Sequence, residues 1–212
     1  MPAALPSTKP GSVGRAPGDA ARGRIVAGAR SHFFAHGFRG VTMDDLAAEL
    51  GMSKKTLYAH FHSKLALLQA VMDEKMSAVE ADLERASTEG ADDFPSRLQA
   101  LLSCMRFHTE EIGAAYVRDV RREAPELFTQ VQIRRRELIQ RFFGKLLEDG
   151  RGAGMIRKDI PATMMIEMLL GAVDAVVNPG KMGELDSTPK VAFNQIITIF
   201  LEGVLTNDGR TK

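Results

Sequence analysis

The chain has 212 residues and is 44% hydrophobic and 26% charged, which fits an ordinary globular protein of one or two domains with a sizeable core. Its single cysteine, Cys104, excludes an intramolecular disulfide and fits a reducing cytosol. The first residues lack the pattern of a secretory signal. The most apolar stretch, Pro161 to Val177, is too short and too interrupted by Glu167 and Asp174 to span a membrane. We therefore expect a cytoplasmic protein without a membrane partner.

Charge is distributed unevenly along the chain, although the net charge is only +1. Residues 1–65 contain nine Lys or Arg and four Asp or Glu, which gives +5, and the remainder carries −4. A basic N-terminal third on a mildly acidic remainder indicates that one end faces a polyanion, although uneven charge is common and this signal is weak on its own.

In chain order, the sequence predicts a disordered arm followed by helices only. Residues 1–20 are rich in Pro, Gly, Ser and Ala, as disordered segments are. No long strand-like alternation follows, so we predict an all-α fold. The predicted helices are Ala21–His36, Thr42–Leu50, Ser53–His60, Lys64–Thr88, Phe94–Ile112, two helices punctuated by Pro125 and by the glycines of residues 149–154, Pro161–Val177 and Lys190–Thr206.

The last two predicted helices are apolar on more than one face. In residues 190–206 the apolar side chains cannot all fit on one stripe, so the helix must be buried on both sides. One explanation is a central core helix. The other is that one face packs in the core and the other face packs against a second subunit. We favour the second explanation because two adjacent helices show the same excess.

A helix-turn-helix is predicted from the second and third helices, which a tight glycine turn joins. Ala47 is small enough to let the helices approach closely, and Gly51 can adopt the positive φ of a sharp turn. Leu46, Leu50 and Leu57 fill the wedge between the helices. This spacing is moderately specific, since other helical hairpins can show it.

The surface of this unit carries hydrogen-bonding and cationic side chains of the types that bind phosphate oxygens and base edges. Lys54 and Lys55 stand in the first turn of the third helix, where the helix dipole disfavours cations by a few tenths of a kcal/mol each. DNA phosphates are negative, so the positive end of the helix dipole and the two lysines both attract them. The predicted DNA-binding residues are Thr42, Ser53, Lys54, Lys55, Thr56, Tyr58, His60 and Lys64.

From Ala21 to Val71 the sequence resembles the TetR (tetracycline-repressor-like) family of bacterial transcription regulators. The residues that carry the resemblance are Phe33, Gly37, Thr42, Leu46, Ala47, Gly51, Ser53, Leu57, Tyr58, Phe61, Lys64, Leu67 and Leu68. Lys54 and Lys55 depart mildly from the Gly, Pro or Ala that the family has before Thr-Leu-Tyr. That departure bears on the operator sequence and not on family membership.

The resemblance implies a homodimer in which each subunit has two helical domains. Residues 21–67 would form a three-helix DNA-binding domain for a palindromic operator, with Tyr58 and Lys64 as phosphate contacts. Residues 68–212 would form an effector-binding and dimerisation domain, whose last two helices build a four-helix interface with the partner. Beyond residue 71 the resemblance is only architectural.

Several residues of the C-terminal part have competing interpretations. The effector-pocket candidates are His108, Tyr116 and Met168. Met168, with Met164 and Met165, would either line an adaptable pocket or fill the core and interface. Asp174 would either pair across the dimer or point into the pocket. Cys104 is predicted to be a buried structural thiol, and Arg134 to Arg136 the solvated face of a helix.

We predict neither a metal site nor a cofactor. His60 and His62 point to different faces of a helix and have no third ligand nearby. His32 and His36 lie one turn apart, and packing and capping explain them better than metal binding.

Together these features predict a ligand-responsive bacterial transcriptional regulator that is not an enzyme. It would be a repressor that binds double-stranded DNA as a dimer, associates with the nucleoid and is released by an unknown small-molecule effector. One alternative is a DNA-binding dimer without an effector. Another is an all-helical enzyme, which the lack of a nucleophile–base pair, an acidic dyad or a metal triad at a recognisable spacing disfavours.

Overall fold

The computed structural model describes residues 17–88 and 93–206, and all regular structure in these residues is helical. The all-α prediction is confirmed. An isolated bridge joins Ile156 to Leu205. The helices are α1 (Pro17–His36), α2 (Met43–Glu49), α3 (Lys54–His60), α4 (Lys64–Thr88), α5 (Phe94–Glu110), α6 (Ala114–Glu123), α7 (Pro125–Gly152), α8 (Ala162–Val176), α9 (Pro179–Glu184) and α10 (Pro189–Val204).

The observed helices differ from the predicted ones at two places. α1 begins at Pro17, four residues before its predicted start, and the rest of the predicted arm lies outside the described residues. The short helix α9 was not predicted. It begins after Asn178, whose side chain accepts the backbone N–H of Lys181 at 3.0 Å. A capping Asn followed by Pro and Gly is a turn signal as well as a helix start, so six residues were too few to distinguish the two.

Two hydrophobic cores lie along α4. The first core combines α1, α2, α3, the N-terminal half of α4 and α6, and it includes Phe33, Leu46, Leu57 and Leu68. We call α1 to α3 and the part of α4 up to Met72 the head. Of the residues predicted to fill the wedge between α2 and α3, Leu46 and Leu57 are fully buried and Leu50 is partly buried against them.

The second core lies between the C-terminal half of α4 and helices α5, α7, α8 and α10. Leu83 of α4, Leu101 of α5 and Phe143 of α7 pack there with Met165 of α8 and Val204 of α10. We call this part of the chain the body. Since α4 contributes to both cores, it is the rigid element that connects the head with the body.

The last two long helices keep apolar side chains outside the second core. On α8, Met165 is buried whereas Met164 and Met168 are exposed. On α10, Val191 and Ile199 are exposed, the latter to 72%. Both helices therefore carry apolar side chains on a face that the described residues do not cover, and this agrees with the predicted apolar excess on more than one face. No helix within the described ranges combines the length and apolarity needed to cross a bilayer.

Candidate nucleic-acid interface and ligand site

The turn between α2 and α3 is built from local hydrogen bonds. At the start of α2, Thr42 Oγ1 accepts the N–H of Asp45 at 3.1 Å, and Asp45 Oδ2 accepts the N–H of Thr42 at 2.9 Å. The Thr42 hydroxyl also donates to Asp45 Oδ2 at 2.6 Å, and this bond together with that from the Thr42 N–H stabilises the carboxylate and lowers the pKa of Asp45. Gly51 follows α2 with φ +63°, a conformation that glycine adopts without strain.

Helix α3 turns its apolar residue inward and its polar residues outward. Leu57 is fully buried in the first core. Ser53 Oγ accepts the N–H of Thr56 at 3.1 Å, and the two hydroxyls lie 2.8 Å apart. Tyr58 is 47% exposed. The helix therefore presents hydroxyl, phenol and ammonium groups on one accessible surface, which suits contact with DNA.

The predicted DNA-binding cations differ in their environments. Lys54 Nζ lies 2.5 Å from Asp44 Oδ2 on α2. Lys55 is exposed and has no side-chain partner among the described residues, and the same holds for the half-exposed His60. Lys64, the first residue of α4, places its Nζ 4.3 Å from the centre of the Phe38 ring.

Lys64 is partly buried beside the first core. Burial lowers the pKa of its ammonium group, and the carboxylates of Asp119, Glu123 and Asp45 oppose this shift. Near the start of α1, the Arg22 guanidinium lies 5.0 Å from the centre of the Phe61 ring. Both cations thus stack on aromatic rings at the edge of the head.

Helix α6 belongs to the first core and contacts the turn between α1 and α2. Asp119 Oδ2 accepts the backbone N–H of Arg39 at 3.0 Å. Gly37, in that turn, has φ +82°, and a Cβ there would lie 2.7 Å from Asp119 Oδ2. Sequence reasoning missed Asp119, because its hydrogen-bond partner lies 80 residues away in the chain.

Tyr116 also lies in this contact between α6 and the head. Its ring packs edge-on against Phe34 with 4.7 Å between the ring centres, and its hydroxyl donates to Met72 Sδ at 3.0 Å. Burial raises the pKa of the phenol. This pocket candidate is therefore a packed residue of the first core.

His108 lies in a buried polar cluster between α4 and α5. Lys75 Nζ donates to His108 Nδ1 at 2.8 Å, so Nε2 carries the proton and donates to Asp82 Oδ2 at 2.8 Å. Lys75 also pairs with Glu111 just after α5. We call Lys75, Asp82, His108 and Glu111 the lysine–histidine cluster.

Burial dominates the electrostatics of this cluster. It lowers the pKa of Lys75 to about 8, and burial together with the Lys75 charge lowers the pKa of His108. Lys75 is only 4% exposed. Sequence reasoning missed it, although a lysine one turn after Val71 and directly before Met76 interrupts the apolar stripe of α4 and was a signal for a buried charge.

Two clefts open on the body. A cleft of about 400 Å³ lies between α4 and α5, and the bond between His108 and Asp82 lies behind its wall. Cys104 in this wall is half-buried, and burial raises the pKa of its thiol to about 11. The lining residues are Asp82, Arg85, Ala86, Ser103, Cys104 and Phe107.

The second cleft, of about 240 Å³, lies between α7 and α8. It contains Asp174, which accepts a hydrogen bond from Arg135 at 3.2 Å within the same chain. Arg134 and Arg136 also form ion pairs, with Glu80 and Glu167. The predicted solvated arginines are therefore paired with carboxylates of α4 and α8.

The three effector-pocket candidates occupy different environments. His108 is in the buried cluster behind the α4–α5 cleft, Tyr116 is in the first core, and Met168 is exposed on α8. The structure therefore does not bring them together around one cavity.

The imidazole rings of the two histidines of α1 lie next to each other. The ring centres of His32 and His36 lie 5.7 Å apart, and His32 Nε2 lies 3.7 Å from Glu49 Oε1. Within residues 17–88 and 93–206, no group of three or more His, Cys, Asp or Glu side chains is arranged to hold a metal ion.

Comparison with known proteins agrees with this geometry. Residues 25–71 match the family model described as bacterial regulatory proteins, tetR family. The chain is 28% identical over 162 residues to the HTH-type transcriptional repressor SCO4008 of Streptomyces coelicolor, covering 76% of this chain and 81% of that protein. It is 29% identical over 123 residues to the HTH-type transcriptional activator FasR of Mycolicibacterium smegmatis, covering 56% of this chain and 55% of that protein.

A solved structure shares the fold along most of the chain. It is that of a transcriptional regulator from Saccharomonospora viridis in complex with choline, with a TM-score of 0.70, 19% identity, and coverage of 89% of this chain and all of that one.

Proposed function

Because this chain belongs to the TetR family of bacterial transcriptional regulators, we propose that it is a ligand-responsive repressor that binds a palindromic operator as a homodimer. The observation that carries this proposal is the exposed polar face of α3 on a buried Leu57, within the segment that matches the family model. The recognition helix of a helix-turn-helix presents its N-terminal residues to the major groove. Ser53, Lys54, Lys55 and Thr56 stand there at the start of α3.

The phosphate contacts that we propose lie at both sides of this turn. Tyr58 is exposed, and Lys64 stands at the start of α4, where free backbone N–H groups add to its charge. Thr42 caps α2, so Thr42 and Lys64 lie near helix N-termini, whereas Tyr58 lies in the second turn of α3. His60 completes the proposed interface at the end of α3.

We propose that the uncovered apolar faces of α8 and α10 form the dimer interface. Met164 and Met168 recur one turn apart on α8, and Val191 and Ile199 lie two turns apart on α10. Several large exposed apolar side chains on two neighbouring helices suit an interface. Pairing two such faces would give a four-helix contact between subunits.

For the effector, we propose the cleft between α4 and α5. It is the larger of the two clefts described above, and exposed Phe107 stands at its rim in front of the lysine–histidine cluster. A choline complex is known for the S. viridis regulator of the same fold, which supports a small-molecule ligand for this chain. His108 would act on the ligand from behind the cleft wall, whereas Tyr116 and Met168 remain candidates without a place in this cleft.

Ligand binding would reach the head through two elements that already contact it. α4 contributes Leu68 to the first core and Leu83 to the second. α6 holds the α1–α2 turn through Asp119. A ligand that favours another position of α4 would shift the population toward a spacing of the two heads that no longer fits successive major grooves.

The proposal is tested by selecting bound duplexes from a random pool and measuring affinity for the recovered sequence at several salt concentrations. We expect a palindrome, and we expect Tyr58→Phe and Lys64→Ala to weaken binding on all sequences. Lys64→Ala should also reduce the slope of log K against log salt by about 0.9 per subunit.

Lys145→Ala is the matched control, since Lys145 is an exposed lysine of α7 on the body. It should leave both affinity and slope unchanged. Selection of no common sequence, or operator affinity that is equal in wild type and both head variants, would contradict the proposal.

A further inference from the structure

Two neighbouring lysines of the recognition helix differ in one respect that the sequence does not reveal. Lys54 Nζ lies 2.5 Å from Asp44 Oδ2, whereas Lys55 has no side-chain partner among the described residues. Asp44 belongs to the first turn of α2, ten residues earlier. A carboxylate therefore stands on the surface that would face the DNA phosphates.

Fold stability does not account for this ion pair. The side chains of Lys54 and Asp44 are 63% and 56% exposed, and exposed pairs of this kind contribute between about 0 and 1 kcal/mol. The start of α2 is already capped, since Asp45 and Thr42 exchange hydrogen bonds there. Asp44 is thus not needed for the cap.

The pair does alter how the surface binds a polyanion. A free lysine adds a phosphate contact on any sequence, because the phosphate backbone carries no sequence information. A lysine held by a carboxylate adds little to such contacts. Its ammonium still has two further N–H donors, and lysine donors match the O6 and N7 acceptors of guanine in the major groove.

We propose that Asp44 is a specificity-determining residue that acts by positioning Lys54. It holds the ammonium away from the phosphates of non-operator DNA and keeps its free donors aimed at base edges in the operator. This inference rests on the proposed DNA-binding function. Lys54 then contributes to discrimination between sequences, whereas Lys55 contributes to general affinity.

The test compares Asp44→Asn with wild type on two 30-bp duplexes, the sequence recovered by selection and a scrambled sequence of the same composition. Releasing Lys54 should raise affinity for the scrambled duplex about fivefold per subunit near 0.15 M salt and steepen its salt slope by about 0.9 per subunit. Affinity for the operator should rise less, so the ratio of the two affinities falls. Asp44→Glu keeps the ion pair and should restore the wild-type ratio.

Two controls separate positioning from a general loss of negative charge. Glu49→Gln removes an exposed carboxylate from the same helix, one that faces His32 instead of Lys54. It should leave the ratio unchanged. In a Lys54→Ala background, Asp44→Asn should no longer change the salt slope. Circular dichroism should show all these variants folded, since the pair is exposed.

An unchanged ratio in Asp44→Asn, an equal effect of Glu49→Gln, or the same slope change without Lys54 would each overturn the inference while leaving the proposed function intact. A wild-type protein that binds neither duplex would overturn both.

Discussion

The polar groups of the α2–α3 surface of the head and those of the lysine–histidine cluster of the body are arranged in opposite ways. On the α2–α3 surface they are exposed and bonded to near neighbours, as Ser53 is to Thr56 at 2.8 Å. In the lysine–histidine cluster Lys75 and His108 are buried and bonded across helices at 2.8 Å, and each also bonds to a partly exposed carboxylate, that of Glu111 or Asp82. An exposed group can exchange its partner for a DNA phosphate, whereas a buried group cannot lose its partner without leaving a charge unpaired.

This difference assigns different roles to similar residue types. A lysine at the start of α3 is available to a partner molecule and adds little to stability. A lysine in the middle of α4 joins α4 to α5 and to Glu111, and it is not accessible to a large partner. Substitutions should therefore separate the regions, with stability affected in the body and DNA affinity affected in the head.

The largest expected effect is that of Lys75→Met. Removal of the buried ammonium leaves the buried Nδ1 of His108 without its donor and the partly exposed Glu111 without its partner, and the loss should be about 3 kcal/mol in the free energy of unfolding. Urea denaturation at a fixed protomer concentration measures it. Lys181→Met, which removes an exposed lysine paired with Glu184, should cost less than about 0.5 kcal/mol. Equal losses in the two variants would contradict the contrast between exposed and buried lysines.

Gly37→Ala should have the next largest effect and lower the free energy of unfolding by about 2 kcal/mol. The residue has positive φ, and its new Cβ would lie 2.7 Å from Asp119 Oδ2. Gly51→Ala is the matched control. Gly51 also has positive φ, but nothing lies within 4 Å of its would-be Cβ, so the loss should be about 1 kcal/mol. If both variants unfold at the same urea concentration, the contact between α6 and the α1–α2 turn adds nothing to stability.

Acidification should destabilise the body through His108. Its folded-state pKa lies below the unfolded value, so the unfolded chain binds more protons as the pH falls below about 6.5. Stability should therefore fall between pH 7.5 and pH 5.5, because protonation of this histidine is more favourable in the unfolded chain. In His108→Gln this pH-dependent part should vanish, and a slope identical to that of wild type would show that His108 is not its source.

The smallest expected effect is at the start of α3. Ser53→Ala removes the hydroxyl that accepts the Thr56 N–H, and this should cost about 0.5 to 1 kcal/mol. Ser31→Ala, at an exposed position inside α1, should be neutral or slightly stabilising, because alanine is the better helix former. A larger loss in Ser53→Ala than in Lys75→Met would reverse the comparison between the head and the body.

Much of the head could be predicted from the sequence because its signals are local. Caps such as Thr42 and Ser53 bond within three residues, Gly51 marks the turn, and the apolar stripe identifies Leu57 as buried. The sequence of the last two helices likewise predicted apolar side chains on more than one face. Helical periodicity reports which face of a helix is buried, whatever the partner.

What the sequence by itself determined is therefore the all-α class, the helix-turn-helix and the types of side chain that α3 presents. Only the tertiary structure decided which charges meet. Asp44 with Lys54, Lys75 with His108 and Asp119 with the Arg39 N–H lie 10, 33 and 80 residues apart. The apolar pattern of a helix specifies which face is buried but not which residues that helix contacts. Those contacts decide whether a lysine is available to DNA or stabilises the body.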